Sequence, residues 1–438
     1  MQSNNFSSNP TGKLNVPNST VSPIVQRRII ATLFAAQSIF SAALLQTFTV
    51  TAIVATKLTG LESLAGIPGT LNLAGRAFIG YPIAWLMERY GRRVSFVLGY
   101  LLGGLGAVIS AYAIWLGSFL LFCLGALLLG MGRGISEQTR YAAAEVYVPA
   151  ERGKVIGWIV SASTIGSIVG PLLIVPSTRW SEHFLANTFI GPFLLAGLMA
   201  GVTALLVFVY LRPDPLTIGQ QLSASELSPS QQLQQANAPV RPMAEIFANG
   251  TLRLALAAMV IGQFVMTLIM SITALHMEHN GHGMQDISWV LMAHTLGMFG
   301  LAIVTGWLIQ RVGQVNMILV GGSVLVLSAI VAPLSPDFMP LAASLFLLGL
   351  GWNFCFIAGS SLLSNSLAAH ERVRAQGFGE TFVSIASGVA SLGSFVLFAY
   401  GGILLVCAMG LACALLFMAS AVWSTQRNPV IEASEPQA

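Results

Sequence analysis

The chain has 438 residues, of which 55% are hydrophobic and only 8% are charged, with a formal net charge of +4. Soluble domains carry about 25% charged residues, so this composition excludes an ordinary soluble domain, and the scattered basic residues do not indicate nucleic-acid binding. Apolar stretches of about twenty residues recur along the chain, and each is long enough to cross a bilayer as a helix. Because open sheets and irregular coil leave backbone groups unsatisfied in lipid, the sequence predicts an all-α membrane protein.

Twelve apolar segments predict twelve transmembrane helices in two six-helix halves. The halves span residues 27–212 and 249–423, and a Ser-, Gln- and Pro-rich stretch at 213–248 is typical of a flexible cytoplasmic linker. Polar tails at 1–26 and 424–438 are predicted to be cytoplasmic, the first of them disordered. The segments lie at 29–54, 62–87, 94–116, 119–144, 153–176, 188–211, 251–278, 285–310, 315–334, 339–366, 373–397 and 400–423.

Basic residues support this topology because nearly all of them fall on one side of it. Only Lys57 and Arg179 fall on the opposite side of the membrane. Basic loops remain in the cytoplasm, so both termini are predicted to be cytoplasmic. The residues on the basic side are Arg27, Arg28, Arg89, Arg92, Arg93, Arg152, Lys154, Arg212, Arg241, Arg253, Arg311, Arg372, Arg374 and Arg427.

Several polar residues lie inside the predicted helices. A charge that faces lipid costs at least about 2.5–3.5 kcal/mol, so Arg76 and Arg133 should face the interior, and Glu137, one turn from Arg133, is the expected partner. Glu380 is placed to carry a coupling proton, or alternatively to pair with Arg374. Asn353 is predicted to line a cavity. Static structural pairing is the alternative interpretation of these charges.

Residues 266–298 hold four of the six histidines and six of the sixteen methionines. Met266 and Met270 are one turn apart on the seventh helix, and His294 and Met298 repeat that spacing on the eighth. If the hairpin turns near His282, Met266 and Met298 lie at one depth in the membrane, and Met270 and His294 lie together at another. These two pairs of facing side chains, called the two rungs, offer thioether and imidazole ligands that would suit Cu(I). Methionine packing and a hydrogen-bonded structural histidine are the alternatives.

The connecting segment adds three histidines, His276, His279 and His282, at a spacing of three residues. The predicted topology places this loop outside the cytoplasm. We expect it to collect metal and raise its local concentration above the two rungs. The alternative is a solvated loop whose histidines cap helix ends.

A short motif repeats at equivalent points of the two halves. "AWLMERYGRR" follows the second segment and "GWLIQRVGQ" the eighth, and each places Arg-x-Gly in a turn where Gly91 and Gly313 suit a positive φ. With twelve helices and a central linker, this pattern resembles the major facilitator superfamily. Its signature is G-x-x-x-D-R-x-G-R-R, whereas this chain has Ala84 and Glu88, and Gln310 in the second copy.

The resemblance implies a charge network that gates the cytoplasmic side, and a transport cycle in which the two halves rock about a central site. "GSIVGP" at 166–171 resembles a motif of proton-driven drug exporters, but Leu172 and Leu173 replace the glycine pair that follows it there, which weakens export as an interpretation. The predicted gate residues are Glu88, Arg89, Arg92, Arg133, Glu137, Arg140 and Glu145.

The four soft ligands carry a narrower resemblance. Met-x-x-x-Met on one helix with His-x-x-x-Met on the next resembles the CcoA-type copper importers of the CalT family, which also includes riboflavin importers. The resemblance implies that Met266, Met270, His294 and Met298 pass copper into the cytoplasm. Copper would be the transported substrate, and no cofactor is expected.

Two other functions stay open at this point. One is transport of a small organic molecule, as a riboflavin-like nutrient importer or a drug exporter, and the other is a metal receptor that does not transport. No phosphate-binding loop and no hydrolase nucleophile elbow occurs in the sequence, so an enzyme is not expected. The expected partners are copper and the lipid bilayer but no nucleic acid, and the expected form is a monomer in a bacterial inner membrane.

Overall fold

The computed structural model describes residues 22–61, 64–225 and 241–427. Helices dominate these ranges, and no strand occurs within them. The N-terminal tail up to residue 21, residues 226–240 of the predicted linker and the last eleven residues of the chain lie outside the described part.

The first half begins with α1 and ends with a short helix that follows the sixth transmembrane segment. Pro23 and Pro149 stand in the first turns of α1 and α5, where a missing N–H group is harmless, and Gly60 and Gly117 end α1 and α2 in the left-handed conformation. The helices are α1 (Pro23–Thr59), α2 (Ile67–Leu116), α3 (Phe119–Ser136), α4 (Thr139–Glu145), α5 (Pro149–Leu185), α6 (Ile190–Tyr210) and α7 (Pro215–Ser225).

The second half repeats this plan with one irregular segment. Its helices are α8 (Met243–Ile246), α9 (Gly250–His279), α10 (Met284–Thr295), α11 (Ala302–Val312), α12 (Gln314–Val331), α13 (Phe338–Asn365) and α14 (Ala369–Arg427). A π-helical turn, Leu296–Gly300, joins α10 to α11, and the two parts of this span meet at an angle of 43°.

In the described part of the chain nine helices are long and apolar enough to cross a membrane, or ten with the bent α10–α11 span, and two of these, α2 and α14, each contain two spans, which confirms the predicted twelve. The second and third spans run together as α2, which breaks at Gly91 with φ 84°, and the last two run together as α14, which breaks at Gly401 and Gly402. The fourth span is divided between α3 and α4. Gly91 and Gly313 both have the positive φ that the repeated turn motif predicts.

Part of the predicted flexible linker is helical. Asp214 caps α7 by accepting the Leu216 N–H at 2.9 Å, and it also accepts the backbone N–H groups of Arg92 and Arg93 at 3.1 and 2.9 Å. The same carboxylate therefore caps α7 and the second part of α2. The α7 helix packs on α4, where Gly219 lies against Glu145.

The helix ends that carry most of the arginines meet at one end of the bundle, here called the basic face. At this end Gln26 donates to the Val146 carbonyl at 2.8 Å within the first half. The halves also join here, because Arg152 donates to Asn365 at 3.2 Å and Gln310 donates to the Ala150 carbonyl at 3.2 Å. The basic face is therefore closed in this conformation.

Glycines allow the halves to approach each other near this end. A Cβ added to Gly157 on α5 would lie 2.4 Å from the Ala302 carbonyl oxygen, and one added to Gly377 on α14 would lie 2.3 Å from the Ala84 side chain. Small residues let helix backbones pack closely where lipid supplies no hydrophobic driving force.

Candidate functional site

A buried ion pair joins the two halves below the basic face. Arg140 on α4 pairs with Glu380 on α14, and the side chain of each is only 3% exposed. The Tyr141 hydroxyl donates to the same carboxylate at 3.2 Å, and Arg140 Nε donates to Ser360 at 3.1 Å. Removing one partner from such a pair leaves an uncompensated charge in a low-dielectric interior, so this pair favours the closed state.

Aromatic rings connect this ion pair to the interior of the second half. The Arg140 guanidinium lies 4.3 Å from the Tyr141 ring centroid and 4.2 Å from that of Phe356, which are cation–π contacts. Phe356 stacks on Trp352 with centroids 4.5 Å apart at 19°, and Trp352 meets Phe299 edge-on at 5.9 Å. These three rings, Phe299, Trp352 and Phe356, are called the aromatic column below.

Two more polar connections cross between the halves at the basic face. Arg92 forms a 2.5 Å ion pair with Glu145 in its own half and donates to Gln376 of the other half at 2.7 Å. Glu88 pairs with Arg374 across the halves at 2.8 Å. Glu380 therefore pairs with Arg140, and the alternative pairing with Arg374 is wrong because Arg374 is engaged by Glu88.

The remaining charges of the predicted gate lie elsewhere. Glu137 accepts from Arg133 at 3.2 Å, as expected, and also pairs with the buried Arg76 at 2.7 Å. All three belong to the first half, so they stabilise it internally and do not bridge the halves. Arg89 is exposed, 5.6 Å from the Trp85 ring centroid. Arg140 also donates to the Glu137 backbone carbonyl, so these two predicted gate residues are in contact. The seven predicted gate residues nevertheless do not all belong to one network, since Arg89 is exposed and Glu88 pairs with Arg374.

His294 is buried between α10 and α13, with its Nδ1 2.9 Å from the Leu345 carbonyl oxygen. A carbonyl only accepts, so Nδ1 carries the proton and the neutral ring presents a lone pair at Nε2. This Nε2 is buried and has no hydrogen-bond partner among the described residues. A fixed ring with one free nitrogen is the arrangement found in histidine metal ligands.

The π-helical turn changes the position of Met298 relative to His294. Asn353 Nδ2 donates to the Met298 carbonyl at 2.5 Å, while Asn353 Oδ1 accepts from Thr305 at 2.5 Å. Gly297 lies so close to α13 that an added Cβ would meet the Phe346 carbonyl oxygen at 2.3 Å. A π-helical turn has more residues per turn than an α-helix, so the spacing of His294 and Met298 departs from the α-helical spacing on which the prediction rests. Asn353 is fully buried, so it does not line an open cavity here.

The two methionines on α9 belong to the packed core of the second half. Met266 is 5% exposed, and Met270 is half-buried against the same core. The α10 helix packs mainly on α13 and has little backbone contact with α9. The structure therefore directs His294 toward α13, and the two-rung copper site stays a prediction.

The prediction that all three histidines lie in the connecting loop is wrong for two of them, because His276 and His279 are in the last turn of α9 and His282 alone of the three follows the helix. The chain reverses between His279 and Met284, with Gly281 at φ 81°, so the predicted turn near His282 is confirmed. His282 Nε2 lies 2.7 Å from the Pro336 carbonyl oxygen, and His276 and His279 lie beside the Phe398 ring. No three side chains of His, Cys, Asp or Glu form a metal-binding group in the described part of the chain.

Sequence reasoning missed the partners that Arg140 meets across the halves. Ser360 and Phe356 are unremarkable members of an apolar segment, and their contact with Arg140 spans more than two hundred residues of sequence. It also missed Gln37 and Gln263, although a glutamine in the apolar first helix of each half is a visible signal of a polar interior contact.

Solved structures with the same fold include the human organic anion transporter MFSD10. It has a TM-score of 0.73 and 14% identity, over 90% of this chain and 99% of that one. At this identity the likeness shows the fold alone.

Curated relatives cover most of the chain. The uncharacterized MFS-type transporter YdeG of Bacillus subtilis is 29% identical over 382 residues, 86% of this chain and 87% of the relative. The riboflavin transporter RfnT of Brucella anthropi is 29% identical over 330 residues, 74% of this chain and 77% of the relative.

A sequence model of the Major Facilitator Superfamily matches residues 30–285 and again 254–438. The match covers both six-helix halves, in agreement with the repeated turn motif and the twelve observed spans. The chain is a multi-pass membrane transporter that belongs to the Major Facilitator Superfamily.

Proposed function

We propose that this transporter imports a small organic molecule with a planar conjugated ring, of the riboflavin type, into the cytoplasm. The observation that carries the proposal is the aromatic column, which reaches from the interior of the second half to the ion pair between the halves. Flat conjugated rings stack on aromatic side chains for about 1–3 kcal/mol each. The relative from Brucella anthropi supports this substrate class.

The proposed orientation follows from charge. The basic face lies in the cytoplasm of a bacterium because basic loops are retained there. The contacts between the halves at this face then close the transporter toward the cytoplasm. Substrate enters from the opposite side, and its release requires Arg140–Glu380, Glu88–Arg374 and the Arg92–Gln376 contact to separate.

Glu380 is the group we propose as the site of coupling. Its Oε1 meets Arg140 and Tyr141, whereas its Oε2 is buried without a hydrogen-bond partner among the described residues. A proton on this carboxylate removes its charge and weakens the attraction to Arg140, which favours separation of the halves at the basic face.

Copper is the second candidate cargo, and the free Nε2 of His294 is the observation that favours it. Imidazole nitrogen and thioether sulfur suit Cu(I), and Met298 follows on the adjoining π-helical turn. In this alternative Met266 and Met270 approach His294 in another state of the cycle. In this alternative His276 and His279 at the end of α9, with His282 in the connection that follows, collect the ion at the outer mouth.

Uptake in cells separates the two candidates. Cells that carry or lack the protein are supplied with radiolabelled riboflavin in one assay and radiolabelled copper in a second. We expect the protein to increase riboflavin uptake and leave copper uptake at the background level. Copper uptake without riboflavin uptake would make copper the favoured cargo and overturn the proposal of an organic substrate.

His294→Asn tests the copper candidate without removing the structural hydrogen bond. Asparagine Nδ2 occupies nearly the position of histidine Nδ1, so it retains a donor for the Leu345 carbonyl, but it lacks a counterpart of Nε2. We expect riboflavin uptake within about twofold of the wild-type rate, since one neutral contact is worth about 1 kcal/mol and this one is retained.

Copper uptake by the same variant gives the second result. If copper is a cargo, His294→Asn should abolish its uptake, and His294→Cys, which supplies another soft ligand, should retain part of it. Unchanged copper uptake in His294→Asn would show that the ring is structural.

A further inference from the structure

A polar triad joins α1 to α5 in the first half. Gln37 Nε2 donates to Ser41 at 3.3 Å and to Ser163 at 3.1 Å, and the Ser41 hydroxyl donates to Ser163 at 3.4 Å. The amide oxygen of Gln37 is held from the other side, because it accepts from Ser136 at 2.9 Å and from Thr139 at 3.1 Å.

The same triad occurs in the second half, between α9 and α14. Gln263 Nε2 donates to Thr267 at 3.0 Å and to Ser387 at 3.4 Å, and the two hydroxyls are 3.2 Å apart. The amide oxygen of Gln263 accepts from Trp352 Nε1 at 2.9 Å. Each triad thus has a glutamine, a hydroxyl four residues later and a hydroxyl on another helix.

The two triads occupy equivalent positions in the repeat. Gln37 and Gln263 each lie about four turns into the first long helix of their half, so they sit at similar depth from the basic face. In the sequence they open the stretches "QSIFS" at 37–41 and "QFVMT" at 263–267. Parallel repeats place such equivalent residues on the two sides of a central site.

Each triad has one hydrogen-bond donor more than it can use on its own members. The two N–H groups of each glutamine amide are used on the two hydroxyls, and one hydroxyl proton is used between them. One hydroxyl proton is left over in each triad. The remaining proton is that of Ser163 in the first triad and that of Thr267 or Ser387 in the second. These residues are 9%, 9% and 4% exposed, in contrast to Ser360, which is fully enclosed, so each proton lies at the edge of an accessible space.

We infer that the two triads are the polar contacts of the transported molecule, which therefore carries hydrogen-bond-accepting oxygens at two opposite ends. This inference rests on the proposed function. The triad of Gln263, Thr267 and Ser387 contacts the ring end, because Gln263 is held by Trp352 of the aromatic column. The triad of Gln37, Ser41 and Ser163 contacts the other end, which in riboflavin is a hydroxylated chain.

Two flavins separate these roles. Riboflavin has ring carbonyl oxygens and the hydroxylated chain, whereas lumichrome has the ring carbonyls and no chain. The first-half variant is Ser41→Ala with Ser163→Ala, and the second-half variant is Thr267→Val with Ser387→Ala. Both hydroxyls of a triad must be removed, since either one alone would retain a free proton. In both variants the amide oxygen of the glutamine still accepts its hydrogen bonds, from Ser136 and Thr139 for Gln37 and from Trp352 for Gln263. We therefore expect each glutamine side chain to keep its position when the hydroxyls are removed.

Binding to the purified protein is measured by calorimetry for each flavin. Loss of one neutral hydrogen bond corresponds to about a threefold to tenfold weaker Kd. We expect the second-half variant to bind both flavins more weakly by that factor. The first-half variant should bind riboflavin more weakly by the same factor and lumichrome with wild-type affinity. Ser328→Ala, which removes a buried hydroxyl contact between α12 and α13, is the control and should bind both flavins normally.

Binding of riboflavin by the wild-type protein separates failure of this inference from failure of the proposed function. If wild-type protein binds riboflavin and both double variants bind it equally well, the triads only hold helices together and the inference is overturned. The same holds if the first-half variant loses affinity for both flavins equally. If wild-type protein binds neither flavin, the proposed function fails, and the assignment of the triads fails with it.

Discussion

Glu380→Gln is expected to abolish accumulation of substrate against a gradient while preserving exchange of labelled for unlabelled substrate across the membrane. Glutamine resembles the protonated carboxyl, so Arg140 loses its charged partner in a site where both side chains are 3% exposed. The substitution therefore mimics the protonated carrier, in which the attraction that holds the basic face closed is weakened. Exchange does not require the proton to be released, whereas accumulation does.

The measurement compares accumulation with exchange in membrane vesicles of the same variant. Glu371→Gln is the matched control, because Glu371 is on the same helix and pairs at 2.7 Å with Arg241, which lies in the linker stretch and not in the first half. The control should retain both activities. Equal loss of accumulation and exchange in Glu380→Gln would show that the pair is only structural, and full retention of both would show that it has no part in the cycle.

Trp352→Ala is expected to weaken riboflavin binding about tenfold to a hundredfold. The substitution removes the central ring of the aromatic column, and stacking on an aromatic side chain is worth about 1–3 kcal/mol. It also removes the donor that holds Gln263. Trp352→Phe retains a stacking surface without the N–H group, so its affinity should lie between those of the wild type and Trp352→Ala.

Fluorescence titration of the purified variants with riboflavin gives these affinities. Trp115→Ala is the control, because Trp115 is 68% exposed on the outside of the bundle and stacks on Tyr112. It should bind with wild-type affinity. Wild-type affinity in Trp352→Ala would remove the aromatic column from the binding site and with it the observation on which the proposed function rests.

The sequence was sufficient for the fold because the determining signals are local. Apolar length defines each span, and the positive φ of Gly91 and Gly313 follows from their place in the repeated turn. Arg133 and Glu137 were also predictable, since residues four apart on a helix are neighbours. The helical state of residues 215–225 carried a local signal too, the Asp-Pro pair that caps α7, but the polar composition of the linker obscured it.

The site was less predictable because its contacts join distant parts of the chain. Nothing near Arg140 indicates a partner 240 residues away, and two acids, Glu137 and Glu380, were available to it in sequence. At the π-helical turn the Met298 carbonyl accepts from Asn353 on another helix, and this turn changes the spacing on which the predicted copper site was based. His294 likewise takes its orientation from the Leu345 carbonyl on α13.

Uptake of radiolabelled riboflavin by proteoliposomes that contain only the purified protein decides whether this transporter carries the flavin. We predict saturable uptake that unlabelled riboflavin competes away, that protein-free liposomes lack and that Trp352→Ala reduces. If the proteoliposomes take up copper and no riboflavin, the metal is the cargo and the proposed function is wrong.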